Sequence, residues 1–133
     1  MLLVETFIQS TSKKGLGLFA KSFLPKGTVY WKRNEEFDRL FTVEQFAKLD
    51  PIAADYISYD GFLETTGNWY LCGDNARFSN HSSTPNTKNN FDVQNLIVHS
   101  VVSVDVEAGE ELLIDYTEIC QTCIDGVAFE SHF

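Results

Sequence analysis

Asn75-Ala76-Arg77-Phe78-Ser79-Asn80-His81-Ser82-Ser83-Thr84-Pro85-Asn86 carries most of the information in this chain, together with Gly109-Glu110-Glu111-Leu112-Leu113-Ile114-Asp115-Tyr116. The first sets two adjacent polar side chains, Asn80 and His81, behind Arg77-Phe78 and then enters a Ser/Thr/Pro/Asn cluster that reads as a loop. Amide and imidazole groups there, together with main-chain N–H and C=O, can be presented to a polar ligand. The second turns at its glycine into a strand over 111–116 that closes on Tyr116. A third stretch lies upstream, Lys14-Gly15-Leu16-Gly17-Leu18-Phe19-Ala20. Its glycines let the backbone take angles that other residues avoid and pass close to a ligand.

Outward from these stretches, short apolar and β-branched runs punctuated by Gly, Pro, Asn and Asp predict a mostly β domain. Residues 2–9, 16–23 and 28–33 read as strands, with Pro25-Lys26-Gly27 turning between the last two. A helical insertion follows. Thr42-Val43-Glu44-Gln45 is a capping-box pattern, with Phe46 and Leu49 continuing an apolar face. Asp50-Pro51 ends that helix and starts a second through Ala53, Ala54 and Tyr56, because proline suits a first helical turn. Residues 68–72 and 96–105 read as further strands.

The bulk composition bounds the rest. The 133 residues make one domain, large enough to bury about two-thirds of the surface its unfolded chain exposes. A hydrophobic content of 44 %, with 14 % aromatic, argues against intrinsic disorder. No apolar run approaches the ~20 residues of a membrane span. The start of the chain lacks the charged lead and long apolar core of a signal peptide, so the expectation is a cytoplasmic protein. Charge is uneven: residues 1–50 carry a net +2 and residues 51–133 a net −11, which together give −9. Such a surface repels nucleic acid; it either attracts a basic polypeptide or serves only to keep a small protein soluble. Cys72, Cys120 and Cys123 do not make a disulfide framework, and Cys120-x-x-Cys123 with His132 falls short of a structural zinc site; no metal is expected.

In this order, the three stretches resemble the signature blocks of SET-domain protein-lysine methyltransferases, an RFxNHSxxPN-like block followed by GEELxxDY. The resemblance spans about residues 10–120, with blocks at 14–20, 75–86 and 109–116, an insertion at about 35–70 and a C-terminal lid at about 117–133. It is to a compact member of the size known in bacteria and viruses. Related enzymes often carry a cysteine-rich zinc knot after the last block, with one ligand at the place of Ser83; serine there and only two tail cysteines argue against that knot. The implied fold is mostly β and β-clip-like: small sheets, a helical insertion and a knot-like C-terminal core.

The resemblance also implies a reaction: methyl transfer from S-adenosylmethionine to the side-chain amine of lysine in a basic protein substrate, histone-like or ribosomal. The alternatives are a catalytically inactive SET-fold module that binds peptide or cofactor, and a β-rich module without cofactor. Lys14, Gly15, Leu16, Gly17, Leu18, Asn80, His81, Tyr116 and Phe129 are the implied cofactor-binding residues. Asn86 would tie down backbone, and Phe129 and Phe133 would close over the cofactor. Tyr116 is the implied catalytic residue. A tyrosine with an ordinary pKa of ~10 is a poor base at neutral pH, so its expected work is to orient the lysine nitrogen and hold the polarised methyl by C–H···O contacts. Aromatic rings should wall the lysine channel, because an alkyl chain ending in a cation slides past ring faces. Trp31, Phe37, Trp69, Tyr70 and Phe78 are the candidates, with Trp31 and Tyr70 favoured. Ile114 takes the place where related enzymes often carry Phe or Tyr, which favours more than one methyl per lysine. Arg77 reads as structural, paired with an acid such as Glu111 or Asp115.

Overall fold

In the computed structural model, which describes residues 1–119, the first glycine-bearing stretch folds as a hairpin. β1 (Thr6–Ser10) pairs antiparallel with β2 (Leu16–Ala20), Phe7 opposite Phe19. Gly15 turns the chain at φ +66°, and the N–H and hydroxyl of Thr11 both donate to its carbonyl, at 2.7 and 2.8 Å. The expected strand over 2–9 is shorter. Residues 2–4 leave the hairpin to run beside β3 (Val29–Lys32), where Leu3 N–H donates to Tyr30 and Leu2 bridges Trp31.

The Pro25 turn closes as predicted, Thr28 N–H donating to the Pro25 carbonyl at 3.0 Å. The insertion begins with β4 (Arg39–Phe41) and then α1 (Val43–Ala47), capped by Thr42 and Gln45 in a reciprocal box. α2 (Pro51–Asp60) follows, with Pro51 in its first turn. β5 (Phe62–Leu63) and β6 (Trp69–Leu71) complete a three-stranded sheet of order β4-β6-β5. A 3₁₀ turn, Asn75–Phe78, leads into β7 (Asn80–His81), β8 (Thr87–Phe91) and β9 (Ile97–Val102). A second three-stranded sheet runs β3-β9-β8.

β10 (Leu113–Ile114) lies parallel to β7 and gives the fold its knot-like core. The 80–87 segment clasps it: Asn86 donates to the Glu111 carbonyl and accepts from Leu113 N–H, both at 2.8 Å, and Thr87 Oγ1 donates to the Leu113 carbonyl. The predicted six-residue strand over 111–116 is therefore two residues long. Glu111 bridges Phe19 instead, and the Asp115 side chain caps a 3₁₀ turn over Tyr116–Glu118. The mostly β architecture of small sheets around a helical insertion matches the expected fold class.

Leu18, Tyr70, Val102, Val106 and Leu112 are the fully buried centre; burying each aliphatic side chain contributes about 1.5–3 kcal/mol. A second cluster joins Phe41, Ile57 and Trp69, with Phe46 stacked on Trp69 at 5.3 Å between centroids. Asp38 is buried between the sheets and accepts from the Tyr70 hydroxyl at 2.5 Å and from Gly73 N–H at 2.8 Å.

Candidate active site

Two cavities meet at Tyr116. The larger, about 230 Å³, is bounded by Lys14, Gly15, Leu16, Phe78 and Asn80. The smaller, about 90 Å³, is bounded by Trp31, Phe62, Ile97, Ile114 and Ile119, with Tyr30, Asn89 and Ser100 on its polar side. Tyr59, Asp60, Arg77, Ser79 and Tyr116 line both.

The Tyr116 position follows from β10 and the turn after it. Its main-chain N–H donates to His81 Nδ1 at 3.0 Å, and its hydroxyl donates to the Ser79 carbonyl at 2.8 Å. Both partners sit on the 75–86 stretch, so the two signature stretches hold one ring between them. Burial, with the Lys14 charge adding to it, holds the His81 imidazole below its ordinary pKa of 6.5 against the opposing pull of Asp115. The neutral ring keeps Nδ1 an acceptor. The Lys14 ammonium donates to the His81 carbonyl, tying the hairpin to β7.

Asn80 is buried, and its amide donates to the Leu16 carbonyl at 3.1 Å and to Glu111 at 2.8 Å while it borders the larger cavity. Gly15 and Gly17 serve different ends. Gly15 supplies the left-handed turn with open space around it, whereas a Cβ on Gly17 would strike the Glu111 carboxylate.

The structure brings Lys14, Gly15, Leu16, Asn80 and Tyr116 to one cavity, and Trp31, Ile114 and Tyr116 to the other. Several expectations change. Gly17 and Leu18 are both buried and border neither cavity: Gly17 is closed in by the Glu111 carboxylate and Thr11, and Leu18 is part of the core. His81 supports Tyr116 and does not border the larger cavity. Tyr70 is not a channel wall: its ring is wholly buried, edge-on to Trp31, with its hydroxyl on Asp38. Phe78 borders the larger cavity and not the smaller. Phe37 is on the surface, and Trp69 belongs to the second core cluster. Arg77 makes no ion pair with Glu111 or Asp115 among the described residues; Asn80 occupies Glu111, Thr117 occupies Asp115, and the guanidinium lies 5.0 Å over Phe78. Phe129, Phe133, Cys120 and Cys123 lie outside the described residues.

Sequence reasoning missed Tyr59 and Asp60. The available signal was an acid closing the last turn of a predicted helix, where acids are unfavourable. No cluster of metal-ligating side chains occurs among the described residues.

The donor set of the larger cavity fits S-adenosylmethionine: an ammonium for a carboxylate at Lys14, open backbone at Gly15, and apolar surface for a flat ring at Leu16 and Phe78.

The SET domain family matches residues 15–117. The mouse protein-lysine N-trimethyltransferase SMYD5 is 25 % identical over 136 residues, covering 80 % of this chain and 33 % of the relative. The human SMYD5 is 31 % identical over 68 residues, covering 47 % of this chain and 16 % of the relative. The chain thus spans a third or less of the length of these relatives. Among solved structures, the Chaetomium thermophilum Polycomb Repressive Complex 2 superposes in a humanised mutant form with a TM-score of 0.64 at 19 % identity, covering 89 % of this chain and 15 % of that one. A form of that complex in an autoinhibited conformation, bound to S-adenosylmethionine, superposes with a TM-score of 0.65 at 19 % identity over 96 % of this chain and 17 % of that one. The family match covers the hairpin glycines, the clasp and the tyrosine that joins the two cavities: the chain belongs to the SET-domain family.

Proposed function

We propose that this chain transfers methyl groups from S-adenosylmethionine to the side-chain amine of lysine in a basic protein substrate. The observation that carries this reading is Tyr116 as a lining residue of two cavities of different character, with its hydroxyl held by the Ser79 carbonyl. Lys14, Gly15, Leu16 and Asn80 would hold the cofactor, which when bound supplies a methyl group activated on a sulfonium.

The chain's own contribution is positioning and desolvation. Tyr116 donates its proton to the Ser79 carbonyl, so its oxygen meets an incoming amine as an acceptor and orients the nitrogen. Trp31, Phe62, Ile97, Ile114 and Ile119 line the approach with apolar surface, which disfavours the charged ammonium and eases loss of its proton. His81 and Ser79 fix the Tyr116 ring from two sides. The net charge of −9 supports a basic polypeptide as substrate, whose encounter it speeds and whose affinity falls with salt. Ile114 supports transfer of more than one methyl, in line with the mouse and human relatives, which are protein-lysine N-trimethyltransferases.

The test is incubation with methyl-labelled S-adenosylmethionine and histone and ribosomal protein mixtures, beside Tyr116→Phe. Label on lysine that falls about 100-fold or more in the variant supports the reading. A cofactor-dependent melting shift without transfer to any substrate would favour a binding module. The absence of both would sink the proposal.

A further inference from the structure

We infer that the Asp60 carboxylate is the charge-selecting group of this site, favouring cationic reactants over the neutral thioether that methyl transfer leaves behind. The inference rests on the function proposed above and adds a residue to it.

Asp60 ends α2, a ten-residue helix with no basic side chain in its last turn. The unpaired carbonyls of a helix C-terminus repel an acid, so this position works against helix stability. A residue that breaks a local rule at a cavity mouth is where a functional demand is expected. Placement of the carboxylate is enforced by the next residue: a Cβ on Gly61 would come within 2.8 Å of the Ile57 carbonyl and 2.9 Å of the Tyr70 carbonyl. Glycine thereby lets the end of α2 press against β6 and delivers Tyr59 and Asp60 to both cavities.

Asp60 is the only carboxylate among the described residues that line either of these two cavities. It is half-buried, and no hydrogen bond or ion pair within 4.0 Å engages its side chain among the described residues. The neighbouring acids are occupied: Glu111 accepts from Asn80 at 2.8 Å, and Asp115 accepts from the N–H and hydroxyl of Thr117 at 3.0 and 2.6 Å. A carboxylate without a partner among the described residues lowers the free energy of the sulfonium and attracts the incoming ammonium, working against the cationic Lys14 and Arg77 on the same walls, while the apolar lining of the smaller cavity is what favours loss of the lysine proton. Lysine arrives as an ammonium, which gives up one proton to water before attack, and the cofactor as a sulfonium. As the methyl carbon's bond to sulfur gives way to a bond to the deprotonated amine nitrogen, the electron pair of the broken bond stays on sulfur. Positive charge passes to nitrogen, and the cofactor product is neutral. Asp60 therefore stabilises the bound cofactor and not its product, which assists exchange.

The test is equilibrium binding, by calorimetry, of S-adenosylmethionine and S-adenosylhomocysteine to the wild-type chain and to Asp60→Asn. Asp60→Asn should weaken S-adenosylmethionine about fivefold, the scale of a partly exposed ion pair, and leave S-adenosylhomocysteine unchanged. Asp60→Glu should restore the preference. The melting temperature of unliganded Asp60→Asn should hold or rise, because the acid at the helix C-terminus is gone. Equal weakening of both ligands, or no change in either, overturns the inference while the proposed function stands. A wild-type chain that binds neither ligand overturns both.

Discussion

The main-chain N–H of Tyr116 donates to Nδ1 of His81 at 3.0 Å, across the two segments that clasp the end of the fold. The bond exists only while Nδ1 is unprotonated. Burial already holds the imidazole below its ordinary pKa of 6.5, so the folded state binds fewer protons than the unfolded one just below that value. The His81 contribution is then fully present above about pH 6.5 and lost as pH falls through the lower, folded-state value. Melting temperature should decline on acidification from pH 7 to pH 5. His81→Gln should flatten that part of the profile; an unchanged slope in the variant would refute the assignment.

Asn86 spends both ends of its amide on the last strand, donating to the Glu111 carbonyl and accepting from Leu113 N–H. Asn86→Ala leaves two backbone groups without partners at the clasp. The expected loss is about 2–6 kcal/mol in urea unfolding, at roughly 1–3 kcal/mol per stranded group. A loss below about 1 kcal/mol would mean that water replaces the amide and the clasp is held by other bonds.

Tyr70 and Trp31 are edge-on neighbours with centroids 5.9 Å apart, yet only Trp31 borders the smaller cavity. Tyr70→Phe removes the donor to buried Asp38 and should cost about 1–3 kcal/mol of stability. The KM for a lysine-bearing substrate should not move. Trp31→Ala should raise that KM. A Tyr70→Phe variant with altered KM and unaltered stability would return Tyr70 to the channel wall.

Cys72 is buried beside Trp31 and Tyr70, and burial, with Asp38 nearby, pushes its thiol up to about 12. The thiolate is the nucleophile, so the native chain should resist iodoacetamide at this position at pH 8 and react once unfolded. Peptide mapping by mass spectrometry separates Cys72 from Cys120 and Cys123. Rapid native labelling of Cys72 would show that the reagent reaches it, through the smaller cavity it borders or by opening of the core.

Much of the site was legible because its residues announce themselves locally. Gly15 sits where a turn requires a left-handed residue, and Asn86 sits in a loop of hydrogen-bonding side chains. The order of the stretches, and the tyrosine at the end of the last one, carried the family resemblance. Gly17, Leu18 and His81 were harder, because they share those stretches yet border neither cavity. Asp60 belongs to the insertion, where no motif marks a role.

Local structure follows from the order of the residues: the capping box at Thr42 and Gln45, the helix restart at Asp50-Pro51, the turn at Pro25 and the hairpin glycine. Each depends on backbone geometry and hydrogen bonds within a few residues. Which residues line the cavities depends on long-range packing. β3 shows why: a register shift between Val29 and Trp31 leaves the adjacent residues Tyr30 and Trp31 both buried, where simple alternation would expose one. The parallel pairing of β7 with β10 likewise brings Tyr116 to Ser79 and His81 across more than thirty residues of sequence. Side-chain direction in a strand is set by its partners, and those partners lie far away along the chain.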